Sequence, residues 1–185
     1  IRGGVVLNTF AKANETRPWR IWHDFAHQLI KIARTLYAHD EFAVNIPNTT
    51  YAFDTTTIDL CLSVFPWAHF RQHKAAVKLH TLLDLRGNIP SFIHITDGKT
   101  HEVNVLDILP VEAGSFYLMD RGFTDFARLY RMHQAQAFFV IREKNNLKQS
   151  VIHSKTIDKT TGILSDTTIT LTGTKTSKTY PEPLR

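Results

Sequence analysis

Residues 51–62 read Tyr-Ala-Phe-Asp-Thr-Thr-Thr-Ile-Asp-Leu-Cys-Leu, and residues 75–85 read Ala-Ala-Val-Lys-Leu-His-Thr-Leu-Leu-Asp-Leu. From residue 51 the sequence pattern has a period of two, which is typical of strands with one face toward solvent. Arg86-Gly87-Asn88 is a turn sequence, and residues 91–96 form a further strand pattern that ends at Asp97-Gly98. These three segments predict a three-stranded antiparallel meander.

Helices and strands alternate after the meander. A short helix is expected over residues 101–109, before Pro110, and a second helix is expected after Thr124, which can cap it. The apolar runs at residues 116–119 and 137–141 predict two strands that are covered on both faces. The order of three strands, helix, strand, helix and strand predicts an α/β protein (an α+β mixed sheet), with a ribonuclease-H-like core as the leading arrangement.

Two further segments flank this core. Thr16-Arg17-Pro18 is a helix-start signal, and an apolar stripe at three- and four-residue spacing continues to about Ala38. After Lys144 the chain becomes rich in threonine, with ten threonines between residues 156 and 179. That composition fits a β-rich insertion or a disordered stalk, and the apolar residues among the threonines favour strands. We therefore divide the chain into a helical lead-in (1–50), a partial ribonuclease-H-like core (51–144) and the start of a β-rich insertion (145–185).

The composition bounds the class of protein. The chain has 185 residues, 43% of them hydrophobic, and 22 Lys+Arg against 17 Asp+Glu give a net charge of +5. These values exclude a disordered tail, a collagen-like fibre and a disulfide-stapled mini-protein. The single cysteine fits a reducing compartment, and no apolar run of about 18 residues predicts a membrane span. The charge fits either a polyanionic partner such as DNA or a need for solubility alone.

Asp54 and Asp120 are the candidate site residues. Asp54 lies in the first predicted strand, and Asp120 directly follows the strand at residues 116–119. In a ribonuclease-H-like sheet these strands are neighbours, so the two carboxylates would face each other across about 5 Å. Their repulsion favours a divalent cation, and hard oxygen ligands favour Mg²⁺ or Mn²⁺. The alternative is that both are local turn formers.

Other candidate residues give weaker signals. His69 and His73 have the spacing of a metal pair on a helix, but they lack the glutamate of the zinc-protease motif and lie in a basic stretch. Asp59 is expected on the strand face opposite Asp54, because it lies five positions further along the strand and this number is odd. Cys61 is expected to be a buried structural thiol. The three tryptophans are expected to be core anchors rather than base-stacking platforms: Trp19, Trp22 and Trp67.

Several collinear blocks carry a resemblance to a known family. Residues 52–62, followed by Phe-Pro-Trp-Ala at 65–68, resemble the first catalytic block of the DDE transposases of bacterial insertion sequences. Residues 74–90 are similar to that family's next hairpin, and Tyr-Leu-Met-Asp-Arg-Gly-Phe at 117–123 resembles its second catalytic block. Residues 11–37 resemble the segment that leads into the core, so the resemblance covers essentially the whole chain.

The resemblance implies a ribonuclease-H-like catalytic core that cuts DNA at transposon ends and joins it to a target. Asp54 and Asp120 would be the first and second catalytic, metal-binding carboxylates, and two Mg²⁺ or Mn²⁺ ions are expected in the complete site. It also implies that the partner is DNA, both the transposon ends and the target, and that two copies of the protein can assemble as a homodimer in the synaptic complex. A cytoplasmic location in a bacterium, with no membrane partner, is expected as well. In this subfamily a β-strand insertion precedes the helix that carries the third carboxylate.

The third carboxylate of the family is a glutamate in the pattern Tyr, two residues, Arg, three residues, Glu, six residues, Lys. Glu143 has Phe139 where the arginine is required, and Glu182 has Lys178. We therefore expect an internal fragment whose third carboxylate lies outside the chain, and we expect Glu143 to pair with Arg142, Lys144 or water. The alternatives are a non-catalytic DNA-binding remnant of a decayed element, or a related ribonuclease-H-like nuclease, which the threonine-rich segment disfavours.

Overall fold

The computed structural model describes residues 6–38, 40, 46–60, 69–71 and 74–185. Its strands are β1 (Thr50–Leu60), β2 (His69–Arg71), β3 (Lys74–Asp84), β4 (Ile89–Asp97), β5 (Phe116–Met119), β6 (Phe138–Ile141), β7 (Gln149–Lys155) and β8 (Asp166–Leu171). Its α-helices are α1 (Leu7–Thr16), α2 (Arg20–Leu36), α3 (Phe126–Gln134) and α4 (Thr176–Thr179), and three 3₁₀ helices cover Glu102–Asp107, Arg121–Phe123 and Lys159–Thr161.

One mixed sheet contains the first six strands. β1 pairs with β3 in antiparallel fashion and with β5 in parallel, and β6 continues the parallel half beyond β5. On its other edge β3 pairs with β4 and, near its start, with β2. The antiparallel meander and the α+β class are thereby confirmed, and the topology is consistent with a ribonuclease-H-like core. β2 has no counterpart among the predicted strands.

The core lies on one face of this sheet. Alternate residues Tyr51 and Phe53 of β1 are buried with Tyr117 and Met119 of β5, under α3 and its buried Leu129. On the opposite face the apolar side chains remain accessible: Leu118 is 36%, Phe138 52% and Val140 55% exposed. The prediction that β5 and β6 are covered on both faces is therefore wrong for the described residues.

The lead-in is helical, but its apolar stripe is not buried. α2 falls within the predicted helix, whereas Thr16 ends α1 instead of beginning α2. Trp19 is 66% and Trp22 45% exposed, so neither is a core anchor, and Trp67 lies outside the described residues. The C-terminal half of α2 is attached through Arg34, whose Nη2 donates to the Tyr51 hydroxyl over 2.8 Å.

Two local predictions need correction. The helix expected at 101–109 is a 3₁₀ helix over Glu102–Asp107. The cap of α3 is Asp125, whose carboxylate accepts from the backbone N–H groups of Ala127 and Arg128, and not Thr124. The Thr124 hydroxyl instead donates to the Arg121 carbonyl over 2.9 Å. Both Thr and Asp are good capping residues, and the carboxylate here also contacts the Arg128 side chain.

The threonine-rich segment contains strands. β7 and β8 pair in antiparallel fashion as a separate two-stranded sheet, and Ile169 of β8 forms a bridge with Leu184. Leu171 and Tyr180 reach the main core, where the Tyr180 hydroxyl lies 2.7 Å from Nδ1 of His133. The division into lead-in, core and insertion stays a prediction. Within the described ranges, no helix combines the length and hydropathy that a membrane span requires.

Candidate active site

Asp54 projects from the middle of the longest run of strand pairing. β1 pairs with β3 without a register break from Tyr51 to Leu60, and Asp54 lies opposite Thr81. The neighbours Phe53 and Thr55 face the core side, so Asp54 faces the other side, where it is exposed. The position of this carboxylate is fixed by the β1–β3 pairing at Asp54 and by the β1–β5 pairing, which ends one residue earlier at Phe53.

Asp120 directly follows β5 and begins a 3₁₀ helix. Its Oδ1 accepts a hydrogen bond from the backbone N–H of Gly122 over 2.8 Å. Its backbone is extended (φ −77°, ψ 170°), so it continues the alternation of β5: Met119 is buried and Asp120 is exposed. The Gly122 contact restrains the carboxylate and engages one of its two oxygens.

The parallel register brings the two aspartates together. Phe53 of β1 pairs with Met119 of β5, and Asp54 and Asp120 are the next residue of each strand. Neighbouring strands lie about 4.8 Å apart, so these two residues stand side by side on the same face of the sheet, level with the end of β5. The structure thus places the two predicted residues next to each other.

The donor set suits a hard divalent cation. Two exposed carboxylates on adjacent strands supply oxygen ligands, as Mg²⁺ and Mn²⁺ prefer, and like charges at this spacing favour a bridging cation. Among the described residues, no group of three or more His, Cys, Asp or Glu side chains is arranged to hold a metal ion. The two aspartates therefore offer part of a ligand set.

A third residue of this row, Arg142, escaped the sequence interpretation. Met119 of β5 pairs in parallel with Ile141 of β6, so Arg142 follows β6 in line with Asp120 and Asp54. Oε1 of Glu143 accepts from Nε2 of Gln149, the first residue of β7, over 3.0 Å, a partner that the sequence did not predict. Only the strand register identifies Arg142, because Arg142-Glu143-Lys144 reads locally as an ordinary charged loop.

The other sequence candidates lie elsewhere. Asp59 pairs with Ala76 in the unbroken β1–β3 ladder and so falls on the face opposite Asp54, as predicted. His69 begins strand β2 and is not on a helix, which agrees with the sequence argument against a helical metal pair with His73. His73 itself and Cys61 lie outside the described residues.

Two further acidic residues, Asp107 and Asp125, support the fold around Arg128. Arg128 donates to Asp107 over 2.6 Å and to Asp125 over 2.8 Å, and Arg131 also bonds Asp107. Hydrogen bonds from Arg128 and Arg131 lower the pKa of Asp107 to about 2. Both carboxylates are thus committed to fixing the start of α3.

The buried His80 ties together the three strands on the core side of Asp54. Its Nδ1 lies 2.7 Å from the Thr55 hydroxyl and its Nε2 lies 2.9 Å from the Thr96 hydroxyl. Because the Thr96 hydroxyl donates to the Asp97 carbonyl, the network assigns the ring proton to Nε2. Burial, with a smaller contribution from His94, lowers the pKa of His80, so the neutral ring is favoured.

Comparison with known proteins identifies the family. The sequence model of the family described as "Transposase DDE domain" matches residues 46–180. The chain belongs to the DDE transposase family. Members of this family are DNA-processing enzymes that use divalent metal ions, and both candidate aspartates lie in the matched range.

Two curated transposases resemble this DDE transposase chain. One is the "Putative transposase y4zB" of Sinorhizobium fredii, 28% identical over 123 residues that make up 64% of this chain and 34% of the relative. The other is the "Probable transposase for insertion sequence element IS5377" of Geobacillus stearothermophilus, 28% identical over 113 residues, or 61% of this chain and 29% of the relative. The chain thus matches about a third of the length of each relative.

Proposed function

We propose that this chain supplies two carboxylates, Asp54 and Asp120, of a metal-dependent site that cleaves DNA at transposon ends and transfers the strand to a target. The observation that carries the proposal is the parallel Phe53–Met119 pair, which aligns the two following aspartates on one exposed face. The match to the transposase family over residues 46–180 supports DNA as the substrate.

The two aspartates have different supports. Asp54 is held by its antiparallel pairing with Thr81 of β3 and directly follows the last β1–β5 pair, whereas Asp120 is held by the Gly122 N–H, which engages Oδ1. Two divalent ions about 3.5–4 Å apart activate an attacking water or hydroxyl and stabilise the leaving oxygen in phosphodiester displacement. Asp54 and Asp120 would hold such ions and orient them toward the open face of the sheet.

The proposed site needs a further ligand. The family's Tyr/Arg/Glu/Lys pattern does not occur in this sequence. We therefore propose that these 185 residues bind the ions weakly and that, on their own, they carry out negligible strand transfer. A non-catalytic DNA-binding role is the second candidate, because the described residues hold no three-ligand metal cluster and the net charge is +5.

Titration with Mn²⁺, followed by electron paramagnetic resonance, tests the proposal. Asp54→Asn and Asp120→Asn should each lower the Mn²⁺ affinity by at least about tenfold, since removing mere supporting groups of a metal ligand already costs 10–100-fold. Asp59→Asn is the matched control, because it removes one charge from the opposite face of the same strand. It should leave the affinity nearly unchanged.

Two results would count against the proposal. An equal loss of Mn²⁺ affinity in all three variants would indicate diffuse electrostatics, with no defined site. Asp54-dependent cleavage of transposon ends by the 185-residue chain, as strong as that of an intact transposase, would show that no further ligand is needed.

A further inference from the structure

A basic groove opens beside the start of α3. It has a volume of about 430 Å³ and runs between the turn after β6 and the segment that joins β8 to α4. Three lysines line it, together with threonine and asparagine side chains, and its described lining contains no acidic residue: Thr124, Phe126, Lys144, Asn146, Leu147, Lys148, Gly173, Thr174, Lys175 and Thr176.

The backbone fixes the two walls of the groove. The Thr172 N–H donates to the Lys148 carbonyl over 3.0 Å, which joins the wall after β8 to the wall before β7. The Leu147 N–H donates to the Lys144 carbonyl over 3.0 Å and closes the turn that presents Lys144 and Lys148. The lysines therefore project from hydrogen-bonded backbone, so the cluster is a property of the fold.

Nearby carboxylates are already engaged. Asp125, next to Thr124, accepts from two backbone N–H groups of α3 and from Arg128. Glu143, next to Lys144, accepts from Gln149. Arg128 compensates the charge of Asp125, whereas Glu143 keeps its charge because its partner is a neutral amide. The three lysines outnumber this one carboxylate, so the groove has a net positive charge that suits a polyanion.

The groove begins close to the aspartate pair. Asp120 and Thr124 flank the single 3₁₀ turn Arg121–Phe123. A 3₁₀ helix rises about 2 Å per residue, so the backbone of Asp120 lies less than about 10 Å from that of Thr124, which lines the groove. The Lys144 Nζ lies 3.5 Å from the Thr124 carbonyl, at the end of the groove nearest Asp120. Asp120 follows β5 and Lys144 follows β6 by three residues, so the aspartates and the groove lie at the same end of these parallel strands. A polyanion that extends from the aspartates past this end of the sheet would reach the lysines.

We propose that this groove, with Lys144, Lys148 and Lys175, binds the sugar–phosphate backbone of the DNA strand that leaves the Asp54–Asp120 site. The proposal rests on the function proposed above and adds a path for the substrate across the junction between the core and the β7–β8 sheet. Lysine contacts to phosphates carry no base information, so this surface contributes affinity and orientation but no sequence preference.

Salt-dependent DNA binding tests the groove. The 185-residue chain is titrated into a fluorescent mixed-sequence duplex in EDTA, at several salt concentrations. Lys148→Gln/Lys175→Gln should weaken binding and reduce the slope of log K against log salt by about 1.8, since each lost phosphate contact removes about 0.9. The control Lys155→Gln/Lys159→Gln makes the same charge change at the far end of the β7–β8 sheet and should keep the wild-type slope.

The outcomes separate the groove from the metal site, because EDTA removes any contribution from the ions. Equal slopes of log K against log salt for the two double variants would overturn the proposal that DNA binds in the groove. The absence of salt-dependent DNA binding by the wild-type chain would overturn it as well. Displacement of the DNA by inorganic phosphate beyond that by chloride of equal ionic strength would indicate a single-anion pocket and would also overturn it. Failure of the Mn²⁺ titration would instead overturn the proposed function and leave the slope comparison valid.

Discussion

Phe53 of β1 and Met119 of β5 are parallel partners at the last paired position of their two strands, and both side chains are buried in the core. Because strand side chains alternate, the residue after each partner must emerge on the open face. Those residues are Asp54 and Asp120. The packing of two apolar side chains beneath the sheet therefore sets the spacing of the two carboxylates above it.

Asp120 has a structural role that is separable from its charge. Asp120→Ala removes the acceptor for the Gly122 N–H and should lower the free energy of unfolding by about 1 kcal/mol, as the loss of a helix cap does. Asp120→Asn keeps a side-chain carbonyl at that place and should stay within about 0.5 kcal/mol of wild type. Urea denaturation measures the free energy of unfolding of both variants. Equal losses of stability would show that the charge of Asp120 matters and that its hydrogen bond to Gly122 does not.

Gly87 is needed in the turn between β3 and β4. Its φ is +77°, and a Cβ at this position would lie 2.6 Å from Cβ of Tyr37, just after α2. Gly87→Ala should therefore lower the free energy of unfolding by more than the roughly 1 kcal/mol that the left-handed backbone alone costs. It should also speed hydrogen exchange in α2, because the new Cβ would displace Tyr37. Urea denaturation gives the first quantity, and hydrogen exchange of residues 20–36 gives the second.

Gly162 supplies the matched control for this substitution. It has the same φ of +77°, but nothing lies within 4 Å of its hypothetical Cβ. Gly162→Ala should lower the free energy of unfolding only by the cost of the left-handed backbone, about 1 kcal/mol, and should leave hydrogen exchange in α2 unchanged. A Gly87→Ala loss no larger than that of Gly162→Ala would contradict the close packing of Tyr37 against this turn.

His80 should make the stability of the sheet dependent on pH. Its pKa is lowered in the folded chain, chiefly by burial, so below about pH 6.5 the unfolded chain binds the proton more readily. The free energy of unfolding should therefore fall as the pH drops from about 7 through 6.5 toward the lower folded-state pKa. The His80→Gln variant cannot take up this proton, so its free energy of unfolding should change less over the same pH range. If wild type and variant lost stability identically as the pH falls, His80 would not be the group responsible.

The strands could be predicted from the sequence because their signal is local. Alternation in β1, β3 and β4, and the Arg86-Gly87-Asn88 turn, are properties of neighbouring residues, and the turn is built as expected, with positive φ at Gly87 and Asn88. Which faces of a strand are covered depends on distant segments of the chain and not on neighbouring residues. Phe138 and Val140 are as apolar as core residues, yet they lie on the open face because the described helix that packs on this half of the sheet, α3, lies beneath it.

The site was partly predictable for the same reason. Asp54 and Asp120 could be found because each lies at a recognisable position of a strand, although their adjacency remained an expectation based on the fold. Arg142 joins their row only through the β5–β6 register, and the partner of Glu143, Gln149, depends on where β7 begins. Both facts depend on pairing between distant segments, which no local pattern records.

The most direct test of the account is a double-mutant cycle on Mn²⁺ affinity with Asp54→Asn, Asp120→Asn and the double variant. If the two carboxylates hold the ions jointly, as one shared site, either single change destroys the site, and the double variant loses little more affinity than a single variant does. We predict this strong non-additivity, with Asp59→Asn unchanged throughout. Losses that add up in the double variant would show that the aspartates bind ions independently, and would contradict the shared site.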